Sequence, residues 1–85
     1  MTKVEIYTFS TCPFCRRAKE LLEAKDISYT EYDITDDEEA REKMAVRSNG
    51  RRTVPQIFIN NQWIGGCDDM HLLEAEGKLD KLLAA

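Results

Sequence analysis

Basic charge is what this chain most lacks. Its 12 Lys and Arg residues stand against 16 Asp and Glu, a net charge of −4. Non-specific nucleic-acid binding needs a basic footprint, so no nucleic-acid partner is expected. No apolar run approaches the ~20 residues that a membrane helix requires, and no membrane contact is expected. Repeats, low-complexity tracts and linkers are missing, so the 85 residues read as one domain over 1–85. Met1-Thr2-Lys3 leads straight into a strand-like run with no visible secretory signal. Cysteine is too sparse for a disulfide scaffold: there are three, one of them alone in sequence, whereas a small secreted domain usually carries an even set. The expected location is cytoplasmic. Without obvious extra apolar surface, the expected state is a monomer. The 42% aliphatic and aromatic content is enough for a small packed core.

Periodicity orders the chain. Val4 to Phe9 reads as a short buried strand. Phe14, Ala18, Leu21 and Leu22 recur at helical spacing, predicting a helix over Pro13 to Ala24. Ile27 to Ile34 alternates and reads as a strand. Thr35-Asp36-Asp37-Glu38 offers a helix cap followed by acids, and the run Asp36 to Glu39 reads as a solvated helix start. That helix runs to about Ser48, with Ala40 and Met44 as its buried contacts, and Asn49-Gly50 stops it. Strands Val54 to Ile59 and Gln62 to Ile64 flank Asn60-Asn61, a two-residue hairpin turn. Cys67-Asp68-Asp69 opens a further helix with Leu72 and Leu73 facing in, Gly77 interrupts it, and Leu79, Leu82 and Leu83 suggest a last amphipathic turn or two. The order β-α-β-α-β-β-α combines a right-handed parallel crossover with an antiparallel hairpin. The expectation is an α/β thioredoxin fold: a four-stranded mixed sheet flanked by helices.

Cys12-Pro13-Phe14-Cys15 carries the chemistry. A Cys-x-x-Cys between a strand and a helix reads as a redox pair. Pro13 suits the first helical turn, where a missing N–H costs nothing. Cys12 then lies at the helix N-terminus, whose free N–H groups and dipole favour a thiolate. Stabilising a thiolate speeds its attack only a few-fold, because nucleophilicity falls with basicity, but it makes the sulfur a better leaving group. Cys12 is therefore the expected nucleophile and Cys15, one turn into the helix, the resolving thiol. Phe14 either lines the sulfur site as an apolar wall or anchors the helix as its first core residue.

Two further segments admit bland and functional readings. Thr53-Val54-Pro55 is at least a loop-to-strand junction, since proline belongs at a strand start or edge. Gly65-Gly66-Cys67-Asp68-Asp69 is at least a capped helix start. Two glycines also allow close backbone approach, and the N–H groups that follow can bind a carboxylate. Cys12, Cys15, Cys67 and His71 superficially supply four zinc ligands. The long gap between the halves and the Pro-Phe inside the first pair favour redox chemistry, so no metal is expected. His71 reads as a surface histidine and Trp63 as a partly exposed packing residue.

Val4-Glu5-Ile6-Tyr7, Cys12-Pro13-Phe14-Cys15, Thr53-Val54-Pro55-Gln56-Ile57-Phe58 and Gly65-Gly66-Cys67-Asp68-Asp69, in this order, resemble the glutaredoxins, particularly small bacterial dithiol ones. The resemblance implies a glutathione-dependent thiol–disulfide oxidoreductase acting on protein–glutathione mixed disulfides and protein disulfides, with glutathione as co-substrate and glutathione reductase as an indirect partner. It implies a cis Pro55 facing the active cysteine, and Val54 pairing its backbone with glutathione as an added strand would. It also implies that Gly66, Cys67 and Asp68 hold the γ-glutamyl end, its carboxylate near the Cys67 and Asp68 N–H groups and its ammonium donating to Asp68, with Phe14, Thr53 and Pro55 completing the site. Cys67 then lies near bound glutathione, a candidate for oxidation or glutathionylation. The common family pattern has Tyr where Phe14 stands, and often a basic residue where Phe9 and Ser10 stand. Arg16, Arg41 and Arg52 are the candidates to replace that charge. Two alternatives remain: a redoxin reduced by a flavoprotein, and a metal or iron–sulfur carrier.

Overall fold

The computed structural model describes residues 2–84. Strand β1 (Val4–Thr8) leads into helix α1 (Pro13–Ala24), strand β2 (Thr30–Asp33), helix α2 (Glu38–Arg47), the hairpin β3 (Gln56–Ile59) and β4 (Gln62–Gly65), and helices α3 (Cys67–Ala75) and α4 (Leu79–Ala84). The sheet order is β2-β1-β3-β4. β1 runs parallel to β2 and antiparallel to β3, which is antiparallel to β4. This is a thioredoxin fold.

The sheet carries a packed layer on each face, and strand alternation decides which residue enters which. Val4, Ile6, Ile57 and Ile59 meet Ala18 and Leu22 of α1, Met70 of α3, and Leu79 and Leu83 of α4. On the opposite face Tyr7 and Phe58 pack with Ile34 and with Met44 of α2. Helix α1 presents Cys15, Ala18 and Leu22 to the core at spacings of three and four.

Three strands are shorter than their patterns suggest, β1 only by its last residue, Phe9. β2 begins at Thr30, where its register with β1 starts at Glu5↔Thr30. The residues before it turn instead: Asp26 takes φ 57°, the Ile27 N–H returns to the Leu22 carbonyl at 3.0 Å, and Ile27 and Tyr29 pack on the core. β3 begins after Pro55, which has no N–H for the ladder. Helix α2 is capped by Asp37, whose carboxylate accepts from the Ala40 N–H at 3.0 Å. Thr35 is occupied elsewhere, donating to Asp33 at 2.6 Å and accepting from the Ser10 N–H at 2.9 Å. Met44 is buried as the pattern requires, but its buried neighbour is Ala45, while Ala40 is half-buried. In α3 Leu73 packs on the core as expected, but Leu72 is exposed, because Met70 and Leu73, three residues apart, share the core-facing side. The hairpin turn at Asn60-Asn61 takes φ 52° and 66°, the left-handed pair that a two-residue turn needs.

An acid lies inside the α2 face. Glu5 is 3% exposed and lies between two Arg47 contacts, Nη2 to Oε1 at 2.9 Å and Nη1 to Oε2 at 3.2 Å. The Tyr32 hydroxyl also donates to Glu5 at 2.8 Å, and the Arg47 guanidinium lies 4.0 Å from the Phe58 ring centre. The Arg47 hydrogen bond holds the Glu5 carboxyl below its usual 4.5, against the opposing effect of burial. A carboxyl with a lowered native value contributes stability above its unfolded value and loses it as pH falls through the folded one. Urea unfolding midpoints are therefore expected to fall as the pH drops below 4.5, with a shallower decline in Glu5→Gln. Arg47→Met, which leaves Glu5 buried without its cation, is expected to cost about 3 kcal/mol near neutral pH. Equal stability of Arg47→Met and wild type in urea would contradict this account.

Candidate active site

The site forms where the loop after β1 meets the start of β3. Phe9 to Thr11 carry the chain from the end of β1 to α1, and Cys12 is the helix N-cap, with extended φ −112° and ψ 109°. Its Sγ accepts the Cys15 backbone N–H at 3.2 Å, as an N-cap side chain should. The same sulfur lies 3.9 Å from the Val54 carbonyl oxygen. Pro13 occupies the first helical turn.

The two cysteines differ in environment. Cys12 is half-buried, whereas Cys15 is buried at 1% exposure. Burial, reinforced by contact with the Cys12 sulfur, pushes the Cys15 thiol up to about 12. At neutral pH Cys15 therefore keeps its proton, and Cys12 is the member of the pair open to a disulfide. All three cysteines are free thiols.

Val54, whose carbonyl lies 3.9 Å from the Cys12 sulfur, also borders a cleft of about 160 Å³. Phe14, Thr53, Val54, Pro55, Gly66, Cys67 and Asp68 all line it. The seven residues assigned to ligand binding from sequence thus border one cavity. The Val54-Pro55 bond is cis. Phe14 is 51% exposed, so it is a wall of the cleft rather than a core anchor. The glycines serve close packing. Gly65 has φ 119°, and a Cβ there would lie 2.4 Å from the Asp69 carboxylate. A Cβ on Gly66 would come within 3.2 Å of the Pro55 carbonyl. The Gly66 N–H donates to Asp69 at 2.9 Å, which secures the start of α3.

Other residues depart from expectation. Cys67 borders the cleft but is 4% exposed and belongs to the core beside Ile57 and Met70. Burial pushes its thiol up, which makes it a poor nucleophile. His71 is half-buried instead of lying free on the surface, with Nδ1 2.8 Å from the Cys67 carbonyl and 3.4 Å from its sulfur. Among the described residues, no cluster of three or more His, Cys, Asp or Glu is arranged to hold a metal ion. Of the candidate cations, Arg16 is exposed on α1. Arg52 pairs with Glu38 and Glu42. Arg41 lies over the Phe9 ring at 5.4 Å and lines a second hollow of about 240 Å³ with Thr11 and Thr35.

Two cleft residues escaped the sequence reading. Gln56 is fully buried, and its amide donates to the Thr53 carbonyl at 3.1 Å, tying down the loop before β3. Arg51 lines the cleft beside Asp69. Its place between the helix stop at Asn49-Gly50 and Thr53-Val54-Pro55 was the available signal.

The unequal cysteines yield a direct expectation. Iodoacetamide added to the reduced native protein near neutral pH modifies Cys12 first and leaves Cys15 and Cys67 largely unlabelled, as read by peptide mass mapping. Labelling of Cys15 ahead of Cys12 would overturn the assignment.

Comparison with known proteins agrees with this geometry. The glutaredoxin family model matches residues 4–64. A probable glutaredoxin of Synechocystis is 60% identical over 81 residues, covering 95% of this chain and 92% of that protein. Glutaredoxin 3 of Escherichia coli is 57% identical over 83 residues, covering 98% of this chain and 99% of its own. Among solved structures, a buckwheat glutaredoxin–glutathione complex superposes with a TM-score of 0.89 at 27% identity, over 98% of this chain and 77% of the other. The chain belongs to the glutaredoxin family and is a thiol–disulfide oxidoreductase.

Proposed function

We propose that the protein uses glutathione to reduce protein–glutathione mixed disulfides and protein disulfides, acting as a cytoplasmic monomer. The observation that carries this reading is the 3.9 Å contact of the Cys12 sulfur with the carbonyl of Val54, a residue of the cleft that joins Thr53, Val54 and Pro55 to Gly66, Cys67 and Asp68. The glutathione held by the buckwheat relative supports it.

The Cys12 thiolate attacks the glutathionyl sulfur of a mixed disulfide. The Cys12–glutathione disulfide forms, and the protein thiolate leaves and takes up a proton. A second glutathione thiolate then attacks the glutathionyl sulfur, giving glutathione disulfide and regenerating the Cys12 thiolate. Alternatively, Cys15 loses its proton, attacks the Cys12 sulfur and expels glutathione, closing a Cys12–Cys15 disulfide that two glutathiones reopen. With protein disulfides the first attack links Cys12 to the protein, and Cys15 releases it. Glutathione reductase recycles the glutathione disulfide, and no metal takes part. This is covalent nucleophilic catalysis.

In this reading Val54 pairs its backbone with the cysteinyl unit of glutathione as an added strand does. Gly66, Cys67 and Asp68 receive the γ-glutamyl end, where N–H groups at the start of α3 favour a carboxylate. Phe14, Thr53 and Pro55 supply the walls around the reacting sulfur. Arg41, beside Thr11 and held over Phe9, supplies the positive charge for the glycyl carboxylate. Arg52 is paired with two carboxylates, Glu38 and Glu42, whereas Arg41 has one long contact, to Glu38 at 3.7 Å, so Arg52 is less suited to that role.

The test is turnover of a glutathionylated peptide and of a disulfide-bonded protein, coupled to glutathione reductase. Cys12→Ser is expected to lose both activities by about a thousandfold or more. Cys15→Ser is expected to retain the first within a few-fold and to lose the second. Full activity of Cys12→Ser on either substrate would sink the mechanism.

A further inference from the structure

Arg51 is the one cation among the residues described at the cleft, whose acids are Asp68 and Asp69. Its position is built from several sides. The guanidinium lies over the Trp63 ring, 5.5 Å from the ring centre, and Nη1 is 3.7 Å from the Asp69 carboxylate. Trp63 is held in turn, its indole N–H donating to the buried Gln56 side-chain oxygen at 2.8 Å. Gln56 is tied to the Thr53 carbonyl, and Asp69 to the Gly66 N–H. A continuous set of contacts thus runs along the cleft from Thr53 to Gly66, and Arg51 closes it.

The strengths of these contacts differ in a useful way. An indole face orients a planar guanidinium without using up its N–H donors. The ion pair to Asp69 is long, and both side chains are about half exposed, at 49% and 48%, so the pairing is weak. Arg51 is therefore held in place while retaining donors for a second carboxylate, which it can grip with two parallel hydrogen bonds. A guanidinium and the free carboxylate of Asp68 in one small cleft match a ligand group that carries both a carboxylate and an ammonium.

We propose that Arg51 is a specificity-determining residue that recognises the zwitterionic α-amino-acid end of the glutathionyl group, taking its α-carboxylate beside Asp68, to which the glutathione reading already gives the ammonium. The inference rests on the glutathione reading above and adds a side-chain contact to the backbone N–H groups of α3. It makes the protein prefer a glutathionyl disulfide over a smaller thiol's disulfide by charge pairing, whereas Val54 serves through backbone alone.

The experiment compares wild type, Arg51→Gln and Arg51→Lys in single turnovers of the fully reduced protein without free glutathione. One peptide is supplied either as its glutathione mixed disulfide or as its 2-mercaptoethanol mixed disulfide, which lacks the zwitterion. Arg51→Gln is expected to lower the second-order rate constant about tenfold on the glutathionyl peptide and by less than about twofold on the other. Arg51→Lys, which keeps the charge but not the fork, is expected to recover part of the loss. A loss of equal size on both peptides would make Arg51 a structural residue and overturn the proposal, as would no loss on either. A wild-type protein with no preference for the glutathionyl peptide would overturn the glutathione reading and this inference together. A wild-type preference that survives in Arg51→Gln would overturn the inference alone.

Discussion

The antiparallel pairing of β1 with β3 is the constraint on which the site depends. It aligns Tyr7 with Gln56 and Val4 with Ile59, placing the chain leaving β1 beside the chain entering β3. The first becomes the Cys12 loop and the second the Val54-Pro55 lip. Residues 42 positions apart in sequence thereby meet at the 3.9 Å contact between the Cys12 sulfur and the Val54 carbonyl. Both central strands are buried, so a one-residue slip would turn Ile6 and Ile57 out of the α1 layer. Core packing therefore sets the register, and the register sets the distance between nucleophile and lip.

The same geometry makes two similar thiols unequal. Cys12 is the last residue before α1, where the Cys15 N–H points at its sulfur. Three residues on, Cys15 faces the core with Ala18 and Leu22. Burial keeps its proton in place until a disulfide on Cys12 presents a target. One helical turn is enough to separate an attacking thiol from a resolving one. Cys67 illustrates the converse: it borders the cleft but points its chemistry into the core.

The sequence made the element order and central strands legible because their signals are local. An alternating or helical apolar pattern, Pro13 after Cys12, and Asn60-Asn61 between two strands each identify a conformation within a few residues. Strand ends were less legible, since β2 loses its first residues to the turn at Asp26 and Ile27 and β3 starts where Pro55 first permits pairing. The two lines of cleft residues were legible as motifs, yet nothing local brings Phe14 to Gly66; the sheet does. Glu5 was read only as part of a buried strand, because its partner Arg47 is distant in sequence. Arg51 and Gln56 were missed for the same reason. Their roles exist through Trp63 and Asp69, which become neighbours only when the hairpin and α3 close around the loop.

The central claim is that Cys12 alone holds glutathione covalently and gives it up to a second glutathione. The most direct measurement mixes Cys15→Ser protein with glutathione disulfide and maps the product by intact-mass and peptide mass spectrometry. The account predicts one added glutathione, on Cys12, released rapidly when reduced glutathione is supplied. No adduct on Cys12, an adduct on Cys67 in its place, or one that reduced glutathione cannot remove would contradict it.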